Sequence, residues 1–355
     1  MNATPETPAA TPAVSVIMPV LNESRHLRDA VERILEQEYP GDIEVVIALG
    51  PSSDDTDAIA AALVAETAGT AREVRTVPNP TGRTPAALNA AIRGSRHPIV
   101  VRVDGHGLLT PGYIATAVRL LDETGAVNVG GIMHAEGETD WERAVAAAMT
   151  SRIGVGNAAF HTGGEAAPAD TVYLGVFRRE ALEQHGGYNE EFLRAQDWEL
   201  NYRLRQGGGL IWFTPDLRVT YRPRPDVRAL ARQYRDYGRW RRVVTRYHRG
   251  SVNLRYLAPP AAVLGIAAGL VGGFLVSPWL FVVPGGYAAA ILLGSLREGR
   301  GLTPAARAQL PVALATMHMS WGWGFLTSPR SLARRVIAST VAPAPAERVT
   351  TSTPG

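Results

Sequence analysis

Asp104-Gly105-His106 stands directly after the apolar run Ile99-Val100-Val101-Arg102-Val103. An aspartate and an imidazole two residues apart, just past a strand, point toward one shallow pocket at the carboxyl edge of a sheet. Open α/β sheets bind their ligands at that edge. Carboxylate plus imidazole is a ligand pair suited to a divalent cation, Mg2+ or Mn2+, and such a cation neutralises a diphosphate. The same three residues also read as a plain strand-end turn in which Asp104 caps the next helix.

The elements that must position this pair are legible nearby. Val14 to Val20 is a β-branched run long enough for a buried strand, and Leu21-Asn22-Glu23-Ser24 turns from it into a helix marked by Leu27, Val31, Ile34 and Leu35. Ile43 to Leu49 predicts a second strand and Val74 to Val77 a third. An Ala-rich helix reaching about Glu66 lies between them, and Pro85 to Arg93 predicts the helix before the strand that delivers Asp104. Strand and helix alternating at this spacing predict a doubly wound, mostly parallel α/β sheet. No internal repeat is visible.

Cysteine is absent, which excludes disulfides and thiolate metal sites. All 36 basic residues are arginine, and the formal net charge of +3 is unevenly spread. Arg218 to Arg255 holds twelve arginines against Asp226 and Asp236, a local charge of +10, so the remainder carries −7. Nucleic acid is one partner for such a belt. This one runs straight into forty residues without a charge, Leu257 to Leu296, so anionic membrane lipid is the expected partner and nucleic acid is not. Forty positions suit two crossings of about 20 residues each, broken near Ser277-Pro278 or Pro284-Gly285-Gly286; a buried soluble hairpin is the competing reading. Pro311 to Leu326, with Trp321 and Trp323, predicts a third crossing or an interfacial helix. Arginines flank it on both sides, at Arg297, Arg300 and Arg307 and again at Arg330, Arg334 and Arg335, which places both flanks in the cytoplasm. The organisation expected is a tail over residues 1–13, a catalytic domain over 14–255 in two halves meeting near 131, apolar helices over 256–330, and a flexible tail over 331–355. The first residues lack the apolar core of a signal peptide.

Five motifs in order now carry a resemblance: Val16-Ile17-Met18-Pro19-Val20-Leu21-Asn22-Glu23, Ser52-Ser53-Asp54-Asp55-Thr56, Gly82-Arg83-Thr84-Pro85 running on through Asn89, Arg102-Val103-Asp104-Gly105-His106, and Gln196-Asp197-Trp198-Glu199-Leu200. Together with Tyr173 to Arg179 and Gly186 to Phe192, they resemble the family 2 glycosyltransferases of GT-A fold over roughly residues 14–255. The subgroup most similar is the membrane-anchored enzymes of succinoglycan-type exopolysaccharide assembly, which also end in apolar helices.

The resemblance implies roles. Asp104, with His106 in place of the usual second aspartate, would hold the metal on the donor diphosphate. Asp197 would be the base that deprotonates the acceptor hydroxyl, although a helix-start carboxylate stabilised by the dipole looks the same. Gln196 replaces the usual acidic neighbour. Trp198 would stack on an acceptor sugar or simply pack. Pro19, Asn22, Glu23, Asp54, Arg83 and Asn89 would surround the nucleotide, and Leu49 takes the place of the aspartate that reads the base. His161 is a further candidate ligand. The sequence Gln233 to Trp240 departs from the Gln-x-x-Arg-Trp spacing of processive members, with five residues between Gln233 and Arg239, which favours addition of a single sugar. Arg239, Arg241 and Arg242 would meet donor phosphate or lipid headgroups.

The function implied is inverting, metal-dependent transfer from a nucleotide-diphosphate-sugar to a lipid-linked saccharide or envelope polysaccharide. The site of action would be the inner membrane, with a multi-pass anchor and a cytoplasmic catalytic domain. Transfer to polyprenyl phosphate, or a catalytically inactive GT-A scaffold, are the alternatives.

Overall fold

A computed structural model of the chain describes residues 11–341. Residues 1–10 and 342–355, which take in most of both expected tails, lie outside the described residues. The first part runs β1 (Val14–Val20), α1 (Leu27–Leu35), β2 (Ile43–Leu49), α2 (Thr56–Thr67), β3 (Val74–Pro78), α3 (Thr84–Gly94), β4 (Ile99–Arg102), β5 (Leu108–Leu109) and α4 (Tyr113–Thr124). The second part follows with β6 (Asn128–Ala135), α5 (Asp140–Thr150), the single turns α6 (Arg152–Val155) and α7 (Ala159–Thr162), β7 (Ala167–Pro168), β8 (Tyr173–Arg178), α8 (Arg179–Gln184), α9 (Gln196–Gln206), β9 (Ile211–Tyr221) and α10 (Val227–Tyr247). Four longer helices close the described chain: α11 (Ala258–Leu275), α12 (Val282–Glu298), α13 (Pro304–Leu326) and α14 (Arg330–Val341).

One nine-stranded sheet carries both halves, in the order β3-β2-β1-β4-β8-β6-β9-β5, with β7 paired to β9. Strands β3, β2, β1 and β4 are mutually parallel; β8 enters antiparallel between β4 and β6, and β6 is parallel to β9. Alternation along β1 explains why its run is apolar on both faces. Val14, Val16, Met18 and Val20 pack with Leu27, Val31 and Ile34 of α1 and Ile114 of α4, while Ile17 packs with Leu88 and Ala91 of α3 on the other side. The chain leaves β1 through α1 toward β2 and β3, then returns through α3 to β4 on the opposite side of β1. The carboxyl ends of β1 and β4 therefore splay their loops apart, and a ligand crevice opens between them.

Helix α13 packs one face against this body and leaves Val312, Trp323 and Leu326 exposed on the other. Its Leu310, Ala313, Leu314 and Met317 are buried with Ala144, Val145 and Met149 of α5 and Leu230 and Tyr234 of α10. The approach of α13 to α10 rests on glycine. A Cβ on Gly238 would run into the carbonyl of Trp321, and one on Gly324 into the carbonyl of Arg235. The flexible tail expected from residue 331 begins instead as α14, because Leu332, Ala333 and Val336 have an apolar face to cover on α10, at Trp240, Val243 and Val244.

The remaining pair, α11 and α12, protrudes. Among the described residues, Leu254–Leu275 and Pro278–Glu298 are the two helical segments long and apolar enough to cross a membrane, and only 17% and 11% of their apolar windows are buried. Phe274 is 80% exposed and Trp279 86% exposed at the tip of the hairpin.

The glycine contacts give a direct test. Gly324→Leu or Gly238→Val should force α13 off α10 and lower stability by about 1–3 kcal/mol or more, since the obstacle is backbone and cannot rotate away. Gly285→Ala, where an added Cβ meets nothing within 4 Å, should leave thermal unfolding in detergent unchanged or slightly raised.

Candidate active site

The loop after β4 carries Asp104 and His106, and the start of α9 carries Gln196, Asp197 and Trp198. Both open on a cavity of about 810 Å³. Between them lies Arg102, the last residue of β4, only 3% exposed. Its Nε and Nη2 donate to Asp104 Oδ1 at 3.1 and 3.0 Å, and its Nη1 donates to Asp197 Oδ1. The ring of Tyr188 lies 5.8 Å below the guanidinium. One buried cation thus joins the carboxylate at the end of β4 to the carboxylate at the start of α9, with Arg102 and Asp197 95 positions apart in sequence. Sequence reading passed over Arg102; its signal was a lone charge inside the apolar run of β4.

Asp197 is held at the entrance to α9 by Ala195, a non-glycine residue in the left-handed conformation at φ 61°. Such strain costs about 1 kcal/mol and re-aims the chain into the cavity. Burial pushes the Asp197 carboxyl above the usual aspartate range, the Arg102 charge opposes that push, and the Asp104 charge adds to it. Below Asp197 the helix is locked by Glu199, fully buried, which accepts from Arg203 at 2.8 Å and faces His248 at the end of α10 at 3.1 Å.

His106 pairs with Glu23. Nδ1 lies 2.8 Å from Glu23 Oε1, and that hydrogen bond raises the histidine pKa against the opposing effect of burial. A carboxylate on Nδ1 leaves Nε2 to carry the lone pair of the neutral ring, the arrangement common behind metal-binding histidines. Asp104 keeps Oδ2 outside the Arg102 pair. The donor set therefore fits a hard divalent ion that takes two protein ligands and shares the rest of its shell with substrate. No group of three or more acidic or imidazole ligands exists among the described residues.

The remaining expected residues divide in two. Pro19, Glu23, Gln196 and Trp198 line the cavity together with Asp104, His106 and Asp197. Asn22, Asp54, Arg83 and Asn89 do not, and their polar atoms serve the loops. Asn22, at φ 55°, accepts from the Ser53 amide at 2.8 Å, Asp54 accepts from the Ser24 amide at 3.1 Å, and Thr56 Oγ1 accepts from the Glu23 amide at 2.8 Å. These bonds stitch the first strand-helix turn to the second, and those from Thr56 and Ser24 hold the Asp54 carboxyl down to about 2. Asn89 grips the backbone of Tyr188 in both directions at 2.8 Å and also donates to Glu190, which binds α3 to the Gly186-Gly187 turn. Arg83 lies 3.8 Å from Glu191 at the surface.

Trp198 is buried, stacked on Tyr202 at 5.2 Å and covered by Arg241 at 4.6 Å. The three arginines at 239, 241 and 242 part company, because a helix turns neighbours about 100° apart. Arg241 lines the cavity, and Arg242 lies over Phe325 at 4.8 Å. His161 lines the cavity too, its pKa lowered to about 4 by burial and by the Arg255 charge. Counted by lining side chains, the cavity presents six arginines to three carboxylates, Glu23, Asp104 and Asp197. An anionic ligand is favoured there by field alone.

Comparison with known proteins matches this architecture. Residues 15–186 match the family model for Glycosyl transferase family 2. Succinoglycan biosynthesis protein ExoA of Rhizobium meliloti (strain 1021) is 33% identical over 328 residues, covering 90% of this chain and 96% of that protein. A dolichyl N-acetyl-alpha-D-glucosaminyl phosphate 3-beta-D-2,3-diacetamido-2,3-dideoxy-beta-D-glucuronosyltransferase of Methanococcus voltae is 22% identical over 319 residues, 88% of this chain and 95% of that one. Among solved structures, the mannosyltransferase PcManGT of Pyrobaculum calidifontis, in complex with GDP-Man and Mn2+, superposes with a TM-score of 0.54 at 20% identity and covers 87% of each chain. With a GT-A sheet, a strand-end Asp-x-His and a relative at this identity along nearly its whole length, the chain belongs to glycosyl transferase family 2 and is a glycosyltransferase.

Proposed function

We propose that this enzyme is an inverting, divalent-metal-dependent transferase. It moves one sugar from a nucleotide-diphosphate-sugar to a lipid-linked saccharide or envelope polysaccharide at the cytoplasmic face of the inner membrane. The observation that carries this reading is the single cavity shared by the Asp104–Arg102–Asp197 unit and by residues of the apolar helices, Ala258, Pro259 and Ala262 of α11 and Met317 and Trp321 of α13. A transferase acting on soluble sugars has no use for a reaction chamber that opens on the start of an apolar helix. The names of the two relatives, one in succinoglycan biosynthesis and one acting on a dolichyl-linked sugar, agree with it.

The donor would lie in the crevice between β1 and β4, its diphosphate facing Asp104 and His106, the residues that would hold the cation. When bound, that cation supplies positive charge to the departing diphosphate. Asp197 faces the acceptor side and would take the proton from the attacking hydroxyl as the bond to the anomeric carbon forms. Arg102 opposes the upward push on the Asp197 pKa and lies between Asp197 and Asp104. Chelation should abolish transfer, and Asp104→Ala should do the same in any metal. Glu23→Gln should raise the metal concentration required by about 10–100-fold, because the His106 ring loses the carboxylate that orients it. Full activity in chelator overturns the metal assignment.

Offered a radiolabelled nucleotide sugar, the purified full chain should label lipid-linked saccharide and leave polyprenyl phosphate alone unlabelled; the reverse pattern would make polyprenyl phosphate the acceptor. Asp197→Asn should lower kcat by about 10²–10⁴-fold, with nucleotide affinity held within about twofold, since a base acts on the acceptor proton.

Arg102→Met addresses the clamp. The group whose ionised form is needed is Asp197, so activity falls as pH drops through its pKa. Without the guanidinium, burial and the Asp104 charge act unopposed, and the acid limb of the kcat profile should move up by about 1–2 pH units. Stability should fall by about 1–3 kcal/mol, because a buried ion-pair network is lost but the two carboxylates left behind are partly exposed. An unmoved acid limb would mean that Asp197 does not set the profile.

A further inference from the structure

Arg241 is packed unlike an ion-paired or lipid-facing arginine. Its guanidinium lies between two rings, 4.6 Å from the centre of Trp198 and 4.4 Å from that of Tyr256. Nη1 is buried without a hydrogen-bond partner, and no carboxylate among the described residues forms an ion pair with it. Arg255 stands beside it, 5.0 Å from the same Tyr256 ring and donating to the Tyr256 hydroxyl at 2.9 Å, also without an ion pair. Two further polar atoms on the cavity wall, Trp198 Nε1 and His161 Nδ1, are buried and unsatisfied. Burial and the Arg255 charge both push the Arg241 pKa below its ordinary value.

Native structures leave few buried donors empty, and two half-buried cations side by side without an ion pair attract an anion. A site that keeps both therefore has an anionic guest in its working state. The guest's position is set by what lies on either side. Trp198 directly follows Asp197 in α9, so one wall of the pocket adjoins the proposed base. Tyr256 stacks toward Trp321 of α13 at 6.4 Å and leads into α11, so the other wall adjoins the apolar hairpin. The donor diphosphate has its own place, across Arg102 at Asp104 and His106.

We propose that Arg241 and Arg255 seat the phosphate of the lipid-linked acceptor, with the apolar chain leaving along α11 and the sugar hydroxyl presented to Asp197. A planar guanidinium fixed between two rings offers its N–H edge to a phosphate with little further ordering, a geometry that an ammonium cannot reproduce. This rests on the acceptor reading above, and it names the group by which that acceptor would be held.

The test uses the full chain in neutral detergent, with farnesyl phosphate and farnesol as probes in calorimetric titration, a nucleoside diphosphate titrated in parallel, and phosphatidylglycerol as competitor. The wild type should bind farnesyl phosphate at least tenfold more tightly than farnesol. Arg241→Gln should erase that difference, Arg241→Lys should restore only part of it, and nucleoside diphosphate affinity should stay within twofold in both, which also reports that both are folded. Equal binding of the two probes to the wild type overturns the proposal, as does loss of nucleoside diphosphate affinity in Arg241→Lys, which would assign the arginine to the donor. Displacement by phosphatidylglycerol at equal concentration would make the pocket a general headgroup site and overturns it too. Transfer to lipid-linked saccharide by the same preparation reports on the acceptor reading separately, so that reading can stand while this one fails.

Discussion

A guanidinium buried at the end of β4 is the constraint on which the site depends. Arg102 reaches Asp104 through two nitrogens and Asp197 through the third, and so ties the loop after β4 to the start of α9. Two carboxylates sharing one crevice repel each other, and the guanidinium between them offsets that repulsion. The arrangement also explains why β8 must lie beside β4. Its neighbour α8 and the Gly186-Gly187 turn bring Tyr188 under the guanidinium, and Asn89 on α3 holds that turn from the other side.

Around this clamp the polar residues of the nucleotide half form a scaffold of loop-to-loop bonds. Asn22, Asp54 and Thr56 do not point at the crevice; they tie the turn after β1 to the turn after β2, so that the switch point keeps its shape without ligand. Glu23 is the exception, because it lies on the wall and orients His106. Rigidity is therefore built into the donor side by short side-chain-to-backbone bonds, each within one or two turns of the ligand crevice.

The acceptor side is built differently. Its walls come from α9, α10, α11 and α13, joined by aromatic stacking and by glycine contacts that let helix backbones approach closely. Helix α13 is consequently part of the catalytic body, and the protruding α11–α12 hairpin is what remains to meet an apolar phase. The chamber passes from charged strand ends to residues of the apolar helices α11 and α13.

The sequence by itself determined the doubly wound nucleotide half, because strands buried on both faces must be continuous apolar runs and their helices must be amphipathic; β1, α1, β2, β3, α3 and β4 stand where periodicity put them. It also placed Asp104 and His106 on one turn at the end of β4, since two residues that close in sequence need no distant partner to be brought together. Arg102 between Asp104 and Asp197, Glu23 behind His106, and the turning inward of Arg241 came only with the tertiary structure. Each is a contact between residues distant in the chain, 95 positions apart for Arg102 and Asp197 and 83 for Glu23 and His106. The fate of the third apolar segment was equally hidden, because hydropathy measures the wish to leave water and not the partner. Whether Leu310, Leu314 and Met317 meet lipid or protein was decided by the faces that α5 and α10 left uncovered, and by glycines at the positions where α10 and α13 come closest.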